Sequence, residues 1–305
     1  MMKPVFILGP PRSGTTLVNE LLGHHPKISS HSKSFHAFHH DLQRFSSVVT
    51  RPEHYRQTTA DVTPELRREY TTAIEQALNS SDASIFVLKI STLSQQVDYL
   101  RALFPKARFI QLVRDVRDSI CSMEGLRIAL EKKQQSPRAY GPAPDPFSLW
   151  SQENTPHPYI NAACGWFYHI SRSWLDRVWT DPSDYLRLRY EDLVEYPHKS
   201  LESILDFLNL EIADPMLPLL DQIQDSPRAE GEIGFSTTQA ATQKIGRFRA
   251  ELDGDIRTTI APLVELPMTL LGYEPDTPQN KSKVEQACTQ VGIDPERWLR
   301  KVHEE

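Results

Sequence analysis

At 305 residues with a formal net charge of −6, the chain is long enough to bury a full core, and its charge balance excludes a general nucleic-acid binder. The three cysteines, Cys121, Cys164 and Cys288, have an odd count and no metal-ligand spacing, so neither a disulfide framework nor a zinc site is indicated. A reducing, cytoplasmic location is therefore expected. No apolar stretch approaches the ~20 residues of a membrane span, and the run after Lys3 reaches Gly9 too soon for a signal peptide, so no membrane association is expected.

Val5-Phe6-Ile7-Leu8 is a continuous apolar run that ends in Gly9-Pro10-Pro11, the pattern of a strand buried on both faces. From Thr15 the apolar positions Leu17, Val18, Leu21 and Leu22 recur at helical spacing and stop at Gly23. Further strands are expected at Ile85–Leu88, Ala107–Val113 and Asp184–Tyr190, with helices near 64–79, 93–103, 117–133, 161–179, 198–208 and 255–271. That alternation predicts an α/β fold with a central, mainly parallel sheet flanked by helices in three layers. A single domain over 1–305 is expected. Gln134 to Pro158 has six prolines and the aromatics Tyr140, Phe147 and Trp150, and reads as a substrate lid or a surface insertion.

Gly9-x4-Gly14-Thr15-Thr16 has the spacing of a phosphate-cradling loop between a strand and a helix N-terminus. Thr15 stands where a nucleoside-triphosphate enzyme has its lysine, and a donor with a single 5′-phosphate needs less positive charge. Loop amides with Arg12, Ser13, Thr15 and Thr16 suffice for such a donor without a metal. Next, the strand Ala107–Val113 ends in Arg114, where a magnesium enzyme commonly has an acidic residue. Arg114 and Ser122, eight residues on, are placed to converge on a second phosphate. Asp118 reads also as a helix N-cap, and Arg117 as a solvated or ion-paired residue.

These residues resemble the PAPS-dependent sulfotransferases, enzymes that use 3′-phosphoadenosine 5′-phosphosulfate. The resemblance lies in Pro11-Arg12-Ser13-Gly14-Thr15-Thr16 with Leu17 to Pro26, in Arg114 with Ser122, in Leu188 to Pro197, and in Ile245-Gly246-Arg247-Phe248-Arg249. It is nearest to the branch of the tyrosylprotein and many bacterial sulfotransferases. The resemblance implies a P-loop-type fold, PAPS as donor and no metal. It implies that Arg12, Ser13, Gly14, Thr15 and Thr16 hold the 5′-phosphosulfate, that Arg114 and Ser122 hold the 3′-phosphate, and that Tyr190 contacts the nucleotide. Lys89 matches the lysine that meets the transferring sulfuryl group, and Lys244 and Arg247 fall in the segment that closes over the phosphates.

The general base of relatives is absent: Ser32, Lys33 and Ser34 stand where one branch has glutamates, and Ser91 where the other has histidine. The His31 to His40 stretch offers replacements, with His36 favoured and His31 next. Two competing readings stay open, a P-loop nucleotide kinase and a phosphoadenosine-binding domain without catalysis. The expected acceptor is a small molecule with an aromatic or sugar hydroxyl.

Overall fold

The structure is a computed structural model and describes residues 3–32, 59–81, 83–90, 93–94, 96–132, 158–175, 182–225 and 244–276. Strands β1 (Val5–Leu8), β2 (Ile28–His31), β3 (Ile85–Lys89), β4 (Arg108–Val113) and β5 (Tyr185–Arg189) form one sheet in the order β2-β3-β1-β4-β5. Every pairing is parallel. The first strand is therefore central, and all its residues are buried, which explains a run with no polar alternation.

Helix α1 (Thr15–Gly23) follows β1, and α2 (Pro64–Asn79) and α3 (Val97–Leu103) precede β3 and β4. Beyond β4 run α4 (Val116–Lys132) and α5 (Pro158–Leu175); beyond β5 come α6 (Tyr190–Glu195), α7 (Pro197–Leu208), α8 (Leu217–Asp225), α9 (Phe248–Glu251) and α10 (Gly254–Leu270). One face of the sheet, with Val5, Ile7, Val87, Ile110 and Leu112, packs under α1 and α6 to α8. The opposite face, with Phe6, Leu8, Phe86, Leu88 and Phe109, packs under α2 and α3. A further cluster gathers α4, α5, α9 and α10 around Trp166 beside the end of β4. This is the three-layer, P-loop-type arrangement expected from the sequence.

The departures are local. A helix expected from 93 begins only at Val97, because Leu93 and Ser94 form a short 3-10 turn and Ser94 is fully buried. The strand Ile28–His31 went unread, since its Ser29-Ser30-His31 lacks the apolar signal of its neighbours. Tyr190 opens α6 instead of closing β5. Helix α5 starts at Pro158, a residue well suited to the first helical position. The proposed lid at 134–157 lies outside the described residues.

Candidate functional site

The carboxyl ends of parallel strands form the usual ligand crevice of such sheets, and the Gly9–Thr16 loop lies there. Gly9 has φ 146°, and a Cβ on it would meet the Leu112 carbonyl oxygen of β4 at 2.5 Å. Gly14 has φ 88°, and a Cβ on it would meet the Tyr190 ring at 2.7 Å. Arg12 itself has φ 70°, a left-handed conformation that costs a non-glycine residue energy, so the loop is held in place by its surroundings. The Ser13 N–H donates to the Pro10 carbonyl at 3.3 Å, which tightens the turn. Ser13 is fully buried and its Oγ has no hydrogen-bond partner among the described residues. Buried hydroxyls are normally paired, so this one is poised for an acceptor or donor brought by a ligand. Thr15 begins α1, whose first turn has no acidic residue, so the N-terminal N–H groups and helix dipole remain available to an anion.

Arg114 is 2% exposed and ties three segments together. Its Nη1 donates to the Arg12 carbonyl at 3.0 Å, its Nη2 to the Lys244 carbonyl at 2.9 Å, and its guanidinium lies 4.2 Å from the Tyr190 ring centroid. The Trp166 indole N–H donates to the Arg114 carbonyl at 3.1 Å, which fixes the backbone at the exit of β4. Arg12 Nε donates to Ser122 Oγ at 3.1 Å. Arg12, Ser122, Arg114, Tyr190 and the main chain of Lys244 thus converge, although they come from the loop, α4, the end of β4, α6 and the segment before α9. The Tyr190 phenol is pushed up by burial, with the Arg114 charge pulling it back.

Two buried acids brace this constellation. Asp118 accepts from the Gly246 N–H at 2.7 Å and the Phe248 N–H at 3.0 Å, so it clamps the segment that contains Lys244 and Arg247. This replaces the N-cap reading: its acceptors serve a distant turn. Burial pushes its carboxyl up, and the two N–H donors and Arg114 pull it back. Glu191 accepts from the Asp115 N–H at 3.1 Å and from the Tyr273 hydroxyl at 2.8 Å, and burial likewise raises its carboxyl above the ordinary range. Arg117 is buried rather than solvated, bridging Asp115 at 2.6 Å and Asp276 at 2.7 Å.

Lys89 closes β3, paired in register with Ile7, so it leaves the sheet on the α1 face and is half-buried. His31 closes β2 opposite Leu88, and therefore lies on the other face. Its ring stacks on Phe86 with centroids 5.0 Å apart, and its Nε2 is 2.8 Å from Ser29 Oγ. Burial lowers its pKa. The structure does not bring His31 together with Lys89, because adjacent strand residues point to opposite faces. His36 lies outside the described residues. Arg247 is held by Glu251, with Nη2 at 2.6 Å from Oε2, so its side chain does not join the Arg114 group.

Sequence reading missed the clamp at Asp118, the brace at Glu191 and the Trp166 bond. Glu191 had a signal, since an acid directly beyond the buried tyrosine of Leu188-Arg189-Tyr190 sits at a strand-to-helix junction. The other two depend on contacts between residues far apart in the chain.

The chain matches the profile described as "Sulfotransferase family" over residues 4–214. It is 22% identical over 299 residues to protein-tyrosine sulfotransferase 2 of Gallus gallus, covering 90% of this chain and 70% of that protein. It is 24% identical over 288 residues to protein-tyrosine sulfotransferase 1 of Danio rerio, covering 90% and 73%. Among solved structures, the sulfotransferase domain from the Synechococcus PCC 7002 olefin synthase is similar in fold, with a TM-score of 0.56, 20% identity and coverage of 91% of this chain and 98% of that one. The sulfotransferase domain from the curacin biosynthetic pathway has a TM-score of 0.51 at 15% identity, covering 96% and 99%.

The similarity to protein-tyrosine sulfotransferases overturns the expected cytoplasmic location. That expectation rested on the cysteine pattern, and Cys121 and Cys164 are free and buried among the α4 and α5 side chains. Among the described residues, no helix is long and apolar enough to cross a membrane. The chain belongs to the sulfotransferase family.

Proposed function

We propose that the chain moves a sulfuryl group from PAPS to a hydroxyl of a small-molecule acceptor, aromatic or carbohydrate-like, by in-line transfer within one domain. The observation behind the donor assignment is the pair of anion-ready groups at the carboxyl end of β1 and β4. The Ser13 hydroxyl, beside a helix N-terminus, and the Arg114 Nε are both buried with no hydrogen-bond partner among the described residues. These features fit a donor with phosphates at two places.

PAPS supplies the sulfuryl group and needs no metal in this reading. In this assignment Arg12, Ser13, Gly14, Thr15 and Thr16 hold the 5′ end, and Arg114 with Ser122 holds the 3′-phosphate. Tyr190 lines the nucleotide, with Gly14 kept free of a side chain so that loop and ring can meet. Lys244 and Arg247 close the site from the segment that Asp118 clamps, Arg247 on giving up its partner Glu251. Lys89 places an ammonium on the α1 face, where it meets charge developing on the oxygens around sulfur; preorganised charge of this kind supplies most of the rate in such transfers. His36 remains the proposed proton acceptor.

A second reading, a tyrosyl hydroxyl on a polypeptide as acceptor, is favoured by the names of the curated relatives. Both share the donor site. Titration calorimetry with 3′-phosphoadenosine 5′-phosphate (PAP) is expected to give saturable binding that Arg114→Ala weakens. PAP formation from PAPS, measured with 4-nitrophenol, a glycoside and a tyrosyl peptide offered separately, ranks the acceptors. Lys89→Ala is expected to lower kcat by about 10²–10³-fold. Saturable PAP binding without PAP formation by the unaltered chain would sink the enzymatic reading, and a preference for the peptide would replace the small-molecule acceptor.

A further inference from the structure

Below the candidate site lies a buried polar contact that no step above uses. Ser94 Oγ is 2.5 Å from His169 Nδ1, across 75 residues of sequence. Ser94 is fully buried and His169 is nearly so. Ser94 lies five residues beyond Lys89, in the stretch between β3 and α3, and His169 lies on α5. One helical turn further along α5, Ser173 Oγ accepts from Gln111 Nε2 of β4 at 2.7 Å. Residues four apart share a helix face, so α5 applies one polar face both to the exit of β3 and to β4.

Among the described residues of the stretch after Lys89, Leu93 and Ser94 form a 3-10 turn. Its main-chain bonds run from the Leu93 N–H to the Ile90 carbonyl at 2.9 Å and from the Gln96 N–H to the Leu93 carbonyl at 3.0 Å, a turn closed on itself. Ile90 and Leu93 pack into the core under α2 and α3, so apolar burial holds one side of the turn. The Ser94–His169 contact ties the other side to α5 in a dry environment, where leaving a polar partner unpaired is costly.

We propose that Ser94 and His169 are a positioning pair: by anchoring the exit of β3 to α5, they hold Lys89 where its ammonium meets the transferring group. The inference rests on the catalytic assignment of Lys89. Neither residue touches donor or acceptor, and both act through the backbone of that strand end. A misplacement of about 1 Å at a reacting centre costs on the order of 10²-fold in rate, so a partial release of the turn is expected to lower kcat by roughly tenfold.

The test measures PAP formation from PAPS, with 4-nitrophenol and a tyrosyl peptide present, for Ser94→Ala, His169→Leu, His169→Asn and each of these combined with Lys89→Ala. Asparagine returns a hydrogen-bonding group near the position of Nδ1. Expected are a roughly tenfold lower kcat for Ser94→Ala and His169→Leu, with KM for PAPS changed less than about twofold, and recovery to within about threefold for His169→Asn. In the Lys89→Ala background the same changes are expected to cost nothing further, because their effect passes through that side chain. Thermal melts give the folded fraction to which each rate is referred. An unaltered kcat per folded molecule for Ser94→Ala, where Lys89→Ala has lost its activity, overturns the inference and leaves the reading of Lys89 standing. Full activity of Lys89→Ala overturns both.

Discussion

Arg114 and Arg12, separated by 102 residues, meet through a hydrogen bond from the Arg114 guanidinium to the Arg12 carbonyl at 3.0 Å. The carbonyl it grips belongs to a residue in the left-handed region, at φ 70°. Because the second arm of the same guanidinium holds the Lys244 carbonyl, one planar fork spans the loop and the closing segment. Lysine has one ammonium and cannot bridge two carbonyls in this way. Arg114→Lys is expected to weaken PAP binding by about tenfold or more, since each lost charge-assisted hydrogen bond is worth about 1.5–3 kcal/mol. Calorimetric titration measures it; an unchanged Kd would show that the fork is incidental to the nucleotide.

The close approach of Gly14 to the Tyr190 ring leads to a second expectation. Gly14→Ala combines φ 88° with a Cβ 2.7 Å from the ring edge, so loop or ring must shift. The strain is about 1–3 kcal/mol. Denaturant midpoints are expected to fall accordingly, and PAP affinity to fall with them. Gly165→Ala, inside α5 with nothing among the described residues within 4 Å of the added methyl, serves as the control and is expected to leave PAP affinity unchanged while raising the midpoint through the helix propensity of alanine, about 0.5–1 kcal/mol.

Glu191 makes stability depend on pH in a defined direction. Its folded carboxyl is raised above the ordinary 4.5 chiefly by burial, so the folded protein binds a proton more tightly than the unfolded chain. The contribution is fully present below the unfolded value and is lost as pH rises through the folded one. Glu191→Gln removes that ionisation. The stability of the unaltered chain relative to Glu191→Gln is thus expected to decline as pH rises from about 4 towards neutrality in urea titrations. A difference that increases with pH would show that the hydrogen bonds from Asp115 and Tyr273 outweigh burial.

The thiols of Cys121 and Cys164 are each pushed up to about 12, in both cases chiefly by burial. Thiolate is the reactive form, so alkylation by iodoacetamide at neutral pH is expected to be slower than for a free thiol by on the order of 10³-fold. Peptide mass spectrometry after native and denatured labelling checks this. Rapid native modification at either position would mean that the α4–α5 cluster opens readily.

Much of the molecule was legible because its signals are local. Val5 to Thr16 announces strand, turn and helix within a dozen residues, and the arginine ending β4 announces an anion by standing where an acid would bind a metal. What stayed illegible falls into two kinds. Ile28–His31 is a strand by virtue of pairing with β3, not of its own side chains, and so had no periodic signal. His31 is a candidate base by sequence because it lies in the segment where one branch of relatives has glutamates, yet the register with Leu88 turns it to the face opposite Lys89. Facing is set by pairing register, which no single segment contains.

The sequence by itself determined the fold class and the family, and it carried the expectation about the ligand: a glycine-spaced loop without lysine, with arginine in place of the magnesium acid, points to a two-phosphate anion rather than a metal-bound triphosphate. That choice depends on residue types at fixed local spacing. Only the tertiary structure decided which residues work together. Arg114 reaches Arg12 and Lys244, Asp118 holds the turn at Gly246, Glu191 joins Asp115 to Tyr273, and Ser94 meets His169. Each contact joins residues far apart in the chain, and each arises because burying a polar group demands a partner that only the packed fold can bring near.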